Sequence, residues 1–205
     1  MKERPILFNA PMVRALLDDS KAQTRRVARH PALQGLSHIV DCGAGWWGDE
    51  EGDVQVCCPY GKPGDRLWVR EKFRGCRAYE VQGYPPKDWG NKPIWFEADG
   101  PAPGNTNAWA IRARPSIYMP RWASRITLEV TGVRVQRLQE ISESNASSEG
   151  LKFNSNHLGP WSFEGGQDWL SAREAYRELW RQIHGPDSWE ANPWVWVVEF
   201  KRWTS

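Results

Sequence analysis

The chain has 205 residues, 40% of them apolar and 25% charged, with a formal net charge of +2. That is length enough for one domain with a core, with or without large insertions, and too little net charge for general electrostatic binding of nucleic acid. No apolar run approaches the roughly 18 residues of a membrane span and the sequence shows no basic-then-apolar amino-terminal signal pattern, so a soluble intracellular protein with no membrane partner is expected.

Pro5 to Phe8 is a short apolar strand candidate, and Ala10 to Asp18 reads as a helix with Pro11 in its first turn. The run Lys21-Ala-Gln-Thr24-Arg25-Arg26 follows. It sets an amine and a hydroxyl together, the minimum for an activated nucleophile, beside two guanidinium groups suited to an anionic or polar ligand. A basic tag on a solvated turn would look the same. Thr24 to Val27 can begin a strand. Side chains alternate along it, so Lys21 must lie in the preceding turn if it works with Thr24, while Thr24 and Arg26 share a face.

Arg29 to Lys62 reads as a long loop rich in glycine and acids. Pro63-Gly64-Asp65 is a turn leading into the strand Arg66 to Glu71, with Leu67 and Val69 on one side and Arg66, Trp68 and Arg70 on the other. Gly75 to Trp109 is again loop-like, apart from a strand expected at Ile94 to Ala98. In Ile111 to Arg125, four arginines (Arg112, Arg114, Arg121, Arg125) interleave with Tyr118 and Trp122 without an acid. That composition fits phosphate gripping and base stacking, or an arginine-rich edge packed on its own tryptophans.

Ile126, Leu128 and Val130 alternate with Thr127, Glu129 and Thr131, the clearest strand pattern, and Gly132 marks a bulge or turn. Ser142 to Glu149 is a short helix ended by Gly150. Ser171 and Glu174 form a capping box for a longer helix with apolar residues at Ala172, Ala175, Tyr176, Leu179, Trp180 and Ile183. Gly185-Pro186 stops it, and Pro193 to Trp203 is a final aromatic strand.

Of the fourteen tryptophans, several sit in connections (Trp46, Trp47, Trp89, Trp109, Trp161, Trp189), where they pin loops to the body or line a base-sized pocket. The four cysteines, Cys42, Cys57, Cys58 and Cys76, lack paired metal-ligand spacing, so small buried thiols are expected rather than a disulfide framework or a metal site. The order of elements is an α+β domain of mainly antiparallel strands, small and barrel-like, with two or three helices and long loops.

This order and these residues resemble the ASCH domain family, whose fold is a PUA-like β-barrel. The resemblance runs from the Lys21 to Arg26 segment through Gly64 to Glu71, Ile126 to Thr131 and Ser142 to Gly150 to the closing Val197-Val198-Glu199-Phe200. It is fullest with the longer ASCH proteins of phages and prophages, in the segments Pro63 to Glu71 and Met119 to Arg125. It implies a single domain over 1–205 with insertions at 28–62 and 75–122, residing in the cytoplasm of a bacterial host.

The small bacterial N4-acetylcytidine amidohydrolases are more distant relatives. Their Lys-x-x-Thr-x-Arg motif is matched by Lys21, Thr24 and Arg26, and their catalytic glutamate by Glu149. The resemblance thus implies Lys21 as base, Thr24 as nucleophile, Glu149 as proton donor and no cofactor. Glu149 lies at its helix's carboxyl end, where the macrodipole disfavours negative charge. Substrate contacts would come from Arg26, Trp68, Arg70, Glu71, Arg121 and Trp122. One departure is Asp19, where the family has glycine two residues before the lysine. Three readings follow: an amidohydrolase acting on an acylated nucleoside; an RNA- or DNA-binding module or ribonuclease gripping phosphate with Arg25, Arg112, Arg114 and Arg125; and a phage accessory or regulatory protein with a host protein partner.

Overall fold

The computed structural model describes residues 1–75, 94–101 and 113–204. Among these are twelve strands and four helices, an α+β arrangement: β1 (Glu3–Leu7), α1 (Ala10–Leu17), β2 (Gln23–Val27), α2 (Pro31–Gln34), β3 (Val40–Gly43), β4 (Trp46–Gly48), β5 (Gln55–Cys57), β6 (Arg66–Arg70), β7 (Phe73–Arg74), β8 (Trp95–Phe96), β9 (Thr127–Arg137), α3 (Glu143–Ser147), β10 (Lys152–Phe153), β11 (Trp161–Ser162), α4 (Ala172–His184) and β12 (Trp194–Arg202). None of these helices is long and apolar enough to cross a membrane.

The frame is a five-stranded sheet in the order β1-β6-β9-β12-β2. Its pairs are antiparallel except β1 with β6, which run parallel. The alternation read at Ile126 to Val130 is the first half of β9, with Leu128 and Val130 buried. Gly132 flanks a bulge: it pairs with Glu199, the next pair is Phe200 with Val130, and Thr131 between them is the extra residue. No strand pairing joins the edge strands β1 and β2 among the described residues. They meet through a side chain, Arg26 Nη2 donating to the Leu7 carbonyl at 2.7 Å. The expected barrel is thus a curled sheet with a seam.

Two cores lie on opposite faces. Phe8, Leu16, Leu67, Leu128, Trp196 and Val198 are in one; Tyr176 and Trp180 of α4 pack on Val195 and Val197 in the other. β12 therefore buries both faces, which is why its apolar residues run without alternation.

The reading of 29–62 as loop is corrected. It contains α2 and the three-stranded sheet β3-β4-β5, docked on the body by Trp47, whose ring meets Trp196 edge-on at 6.5 Å. Trp189 is also buried, whereas Trp46 is exposed. The strand expected at 94–98 is only β8, followed by a short 3-10 turn over Glu97–Asp99. Cys58 is buried but Cys42 and Cys57 are exposed, against the expectation of buried thiols. Cys76, Trp89, Trp109 and Arg112 lie outside the described residues. No cluster of three metal-ligating side chains occurs among the described ones.

Candidate active site

The segment before β2 is set by α1. Asn9 caps that helix by accepting the Met12 N–H at 3.0 Å. Past its end the chain reverses at Asp19, whose φ of 60° is the left-handed conformation that glycine adopts most easily. Aspartate therefore holds the glycine-like turn, and the Lys21 N–H returns to the Ala15 carbonyl at 3.0 Å.

Glu149 reaches the same place from the other end of the chain. Ser142 caps α3, and the residues after that helix lie along the free edge of β2: the Ser148 carbonyl accepts the Ala22 N–H at 3.0 Å, and Lys21 pairs with Glu149. Gly150, at φ 92°, permits the approach. A Cβ there would stand 2.8 Å from Ala15 Cβ and 3.2 Å from Lys21 Cβ.

The outcome is a buried charge cluster. Lys21 Nζ donates to Glu149 Oε2 at 3.0 Å and to the Glu149 carbonyl at 2.7 Å, and Arg25 Nη1 donates to Oε1 at 2.8 Å. The three residues are only 4%, 3% and 5% exposed for Lys21, Arg25 and Glu149. With every group ionised the cluster carries one unbalanced positive charge. Arginine does not give up its proton in proteins, but lysine does. Burial pulls the Lys21 pKa down against the raising effect of Glu149, with Arg26 and Arg25 adding smaller downward pushes. Loss of the Lys21 proton would balance the cluster. The amine would then keep two N–H bonds for the two acceptors it faces and gain one free lone pair.

The register with β12 places Thr24 beside Val198 and Arg26 beside Trp196, on the Phe8 core; Arg25 beside Val197 faces α4. Thr24 and Arg26 do share a face. Arg25, expected to grip phosphate, is instead sealed inside, its guanidinium 5.8 Å from the Tyr176 ring centre. Its Nε and Nη2, and the Trp180 Nε1, are buried donors with no acceptor among the described residues. Sequence reasoning missed this pairing; the signal available was that a strand buried on both faces places one of two adjacent arginines on each side.

Three cavities run past the cluster. An outer one of about 280 Å³ lies between α1 and α4 with Glu149 in its wall, bordered by Met12, Leu179 and Ile183. A throat of about 20 Å³ follows, lined by Thr24, Arg25, Glu149 and Trp180. Arg26 and His184 divide it from a cavity of about 560 Å³ at the seam between β1 and β2. Leu179 and Ile183, assigned to the helix's core face from sequence, are the apolar wall of this passage.

The remaining candidates form a different cluster. Glu71, 1% exposed, is clasped by Arg125 through Nε and Nη2 at 2.9 and 3.0 Å, and Arg125 also meets Asp99 at 2.7 Å. Arg121 pairs with Glu3 at 3.0 Å, and Arg70 donates to the Met119 carbonyl at 3.0 Å and to that of Ile117. Trp68 lies under Arg70 and Arg121 at 5.2 and 5.9 Å, Trp122 is exposed, and Arg114 bridges to Phe73. None of Trp68, Arg70, Glu71, Arg121 or Trp122 lines the three cavities. Arg121 and Arg125, expected respectively to contact substrate and to grip phosphate, have carboxylate partners from outside their own segment.

No protein-family model matches the chain, and no curated protein matches it. A solved structure that does is the ASCH domain from Lactobacillus crispatus JV V101, at 12% identity and a TM-score of 0.42, covering 98% of this chain and 79% of that one.

Proposed function

We propose that the chain is an ASCH-type, PUA-like domain that hydrolyses an amide on an acylated nucleobase of the N4-acetylcytidine kind. One observation carries this reading: the buried Lys21–Glu149–Arg25 cluster stands at a throat bordered by Thr24. Neutral Lys21 takes the Thr24 hydroxyl proton as Oγ attacks the amide carbonyl carbon. The resulting oxyanion receives the unpartnered Arg25 and Trp180 donors, which are already desolvated and need no reorganisation. Collapse breaks the C–N bond, and the Lys21 ammonium returns its proton to the leaving amine. Water, activated by the same amine, then hydrolyses the Thr24 ester and releases the carboxylic acid. In this account Glu149 is a positioning residue, held by hydrogen bonds from Lys21 and Arg25 at 3.0 and 2.8 Å, in place of the proton donor expected from the helix end. Arg26, whose Nη2 is engaged by Leu7, borders the throat without holding the oxyanion.

The test is loss of the acyl group from N4-acetylcytidine, followed by absorbance. Turnover is expected in the wild type and a loss of at least about a thousandfold in Thr24→Ala and Lys21→Ala. No turnover, or turnover unchanged in both variants, sinks the proposal.

A further inference from the structure

We propose that the seam cavity is a phosphate subsite, so that the ligand is a nucleotide rather than a bare nucleoside. The identity of the base rests on the hydrolase reading; the phosphate site does not.

The cavity is lined by four cation-capable side chains, Arg26, Arg29, His30 and His184, together with Tyr60 and Trp196, and by no aspartate or glutamate among the described residues. These groups come from separated parts of the chain: β2 and the residues after it, the connection following β5, and the end of α4. Arg4, Arg14, Arg121, Arg125 and Arg202 each meet a carboxylate. Arg29 has no such partner among the described residues. Burial lowers the His184 pKa and Arg26 and Arg29 push it down further, while burial raises that of Tyr60 against the pull of the same two arginines. Positive groups gathered without counter-charge are stabilised by an anion placed among them, and arginine presents the fork that phosphate oxygens take.

Size and position agree. About 560 Å³ falls within the range of small-ligand cavities, and Trp196 and Tyr60 give it faces for a base or sugar. Arg26 and His184 belong to both this cavity and the throat. A nucleotide seated at the seam can therefore hold its phosphate among the cations and direct an exocyclic acylamino group toward Thr24.

The experiment is calorimetric titration of the intact protein with cytidine and with cytidine 5′-monophosphate. The monophosphate is expected to bind at least about tenfold more tightly. That ratio should fall toward one in Arg29→Ala and in His184→Ala, both at exposed positions that the fold tolerates. Equal affinities, a ratio that survives the Arg29→Ala/His184→Ala pair, or no binding of either ligand at millimolar concentration overturns the proposal. A short oligonucleotide with and without a 5′-phosphate separates the sources: dependence on that group marks a strand end or free nucleotide, and indifference with tight binding marks internal diesters. Absence of N4-acetylcytidine turnover with the ratio intact would remove the hydrolase reading and leave the phosphate site standing.

Discussion

Replacing Glu149 by glutamine removes the carboxylate that Lys21 and Arg25 share in a buried cluster and nearly preserves its shape. Lys21 and Arg25 have side chains with no exposed area, and each donates to Glu149, at 3.0 and 2.8 Å. Breaking a buried ion pair by removing one partner costs about 3–5 kcal/mol, because the remaining charge is stranded. In a domain of this size that corresponds to a fall in Tm of roughly 6–20 °C. Lys21→Met is milder, at about 1–3 kcal/mol for the lost hydrogen bonds, since Arg25 and Glu149 remain a balanced pair. pH sharpens the comparison. Burial already holds the Lys21 pKa below its ordinary value, so the unfolded chain binds that proton more tightly than the folded one. Between the two pKa values stability therefore rises with pH. In Glu149→Gln the effect grows, because no carboxylate opposes proton loss, and the deficit should narrow as pH is raised from neutral. It should not vanish, since Arg25 stays charged. Urea denaturation of the wild type and both variants at neutral and alkaline pH measures this. A Glu149→Gln protein within about 0.5 kcal/mol of wild type, the range of ordinary surface changes, or one more stable than Lys21→Met, refutes the charge argument.

Three further outcomes concern Lys21, the Glu71–Arg125 pair and Cys58. If neutral Lys21 is the base, kcat/KM on N4-acetylcytidine rises with pH and levels off below the ordinary lysine value of 10.5; a profile flat across that limb is incompatible with the assignment. Arg125→Ala strands the Glu71 carboxylate and should lower stability by about 2–4 kcal/mol at neutral pH, discounted for the partial exposure of Arg125. Burial raises the Glu71 pKa, so the folded chain binds that proton more tightly than the unfolded one and the deficit should shrink as pH falls toward the ordinary carboxylate range; denaturant midpoints that move the other way refute this. Burial pushes the Cys58 thiol up to about 12, so alkylation of the native protein should spare Cys58 while modifying exposed Cys42 and Cys57, and peptide mapping that finds Cys58 modified first contradicts its burial.

The elements legible in the sequence were those whose periodicity is long enough to repeat. The alternation of β9, the Ser171 cap and the buried Ala172, Ala175, Tyr176 and Trp180 of α4, and the strand around Leu67 and Val69 belong to elements that exceed four residues, and each is where the pattern placed it. β3, β4 and β5 are three or four residues long and carry no readable period, so acidic, glycine-rich composition hid a small sheet. The candidate site divides in the same way. Lys21 and Thr24 are near neighbours, and parity alone separated the turn lysine from the strand threonine. The distinction between Arg25 and Arg26 needed a partner strand: only the pairing of Arg25 with Val197 turns it under α4, and only the path of 148–150 along the edge of β2 brings Glu149 to it from 124 residues away. The seam is less legible still, because Arg29 and His184 meet at a gap where two edge strands fail to pair. Both features depend on charges that the chain counts separately and the fold counts together. A molecule of net charge +2 conceals a buried trio with one charge too many and a cavity with cations and no acid. Such local imbalance is the physical reason to expect a proton to leave the first and an anion to enter the second.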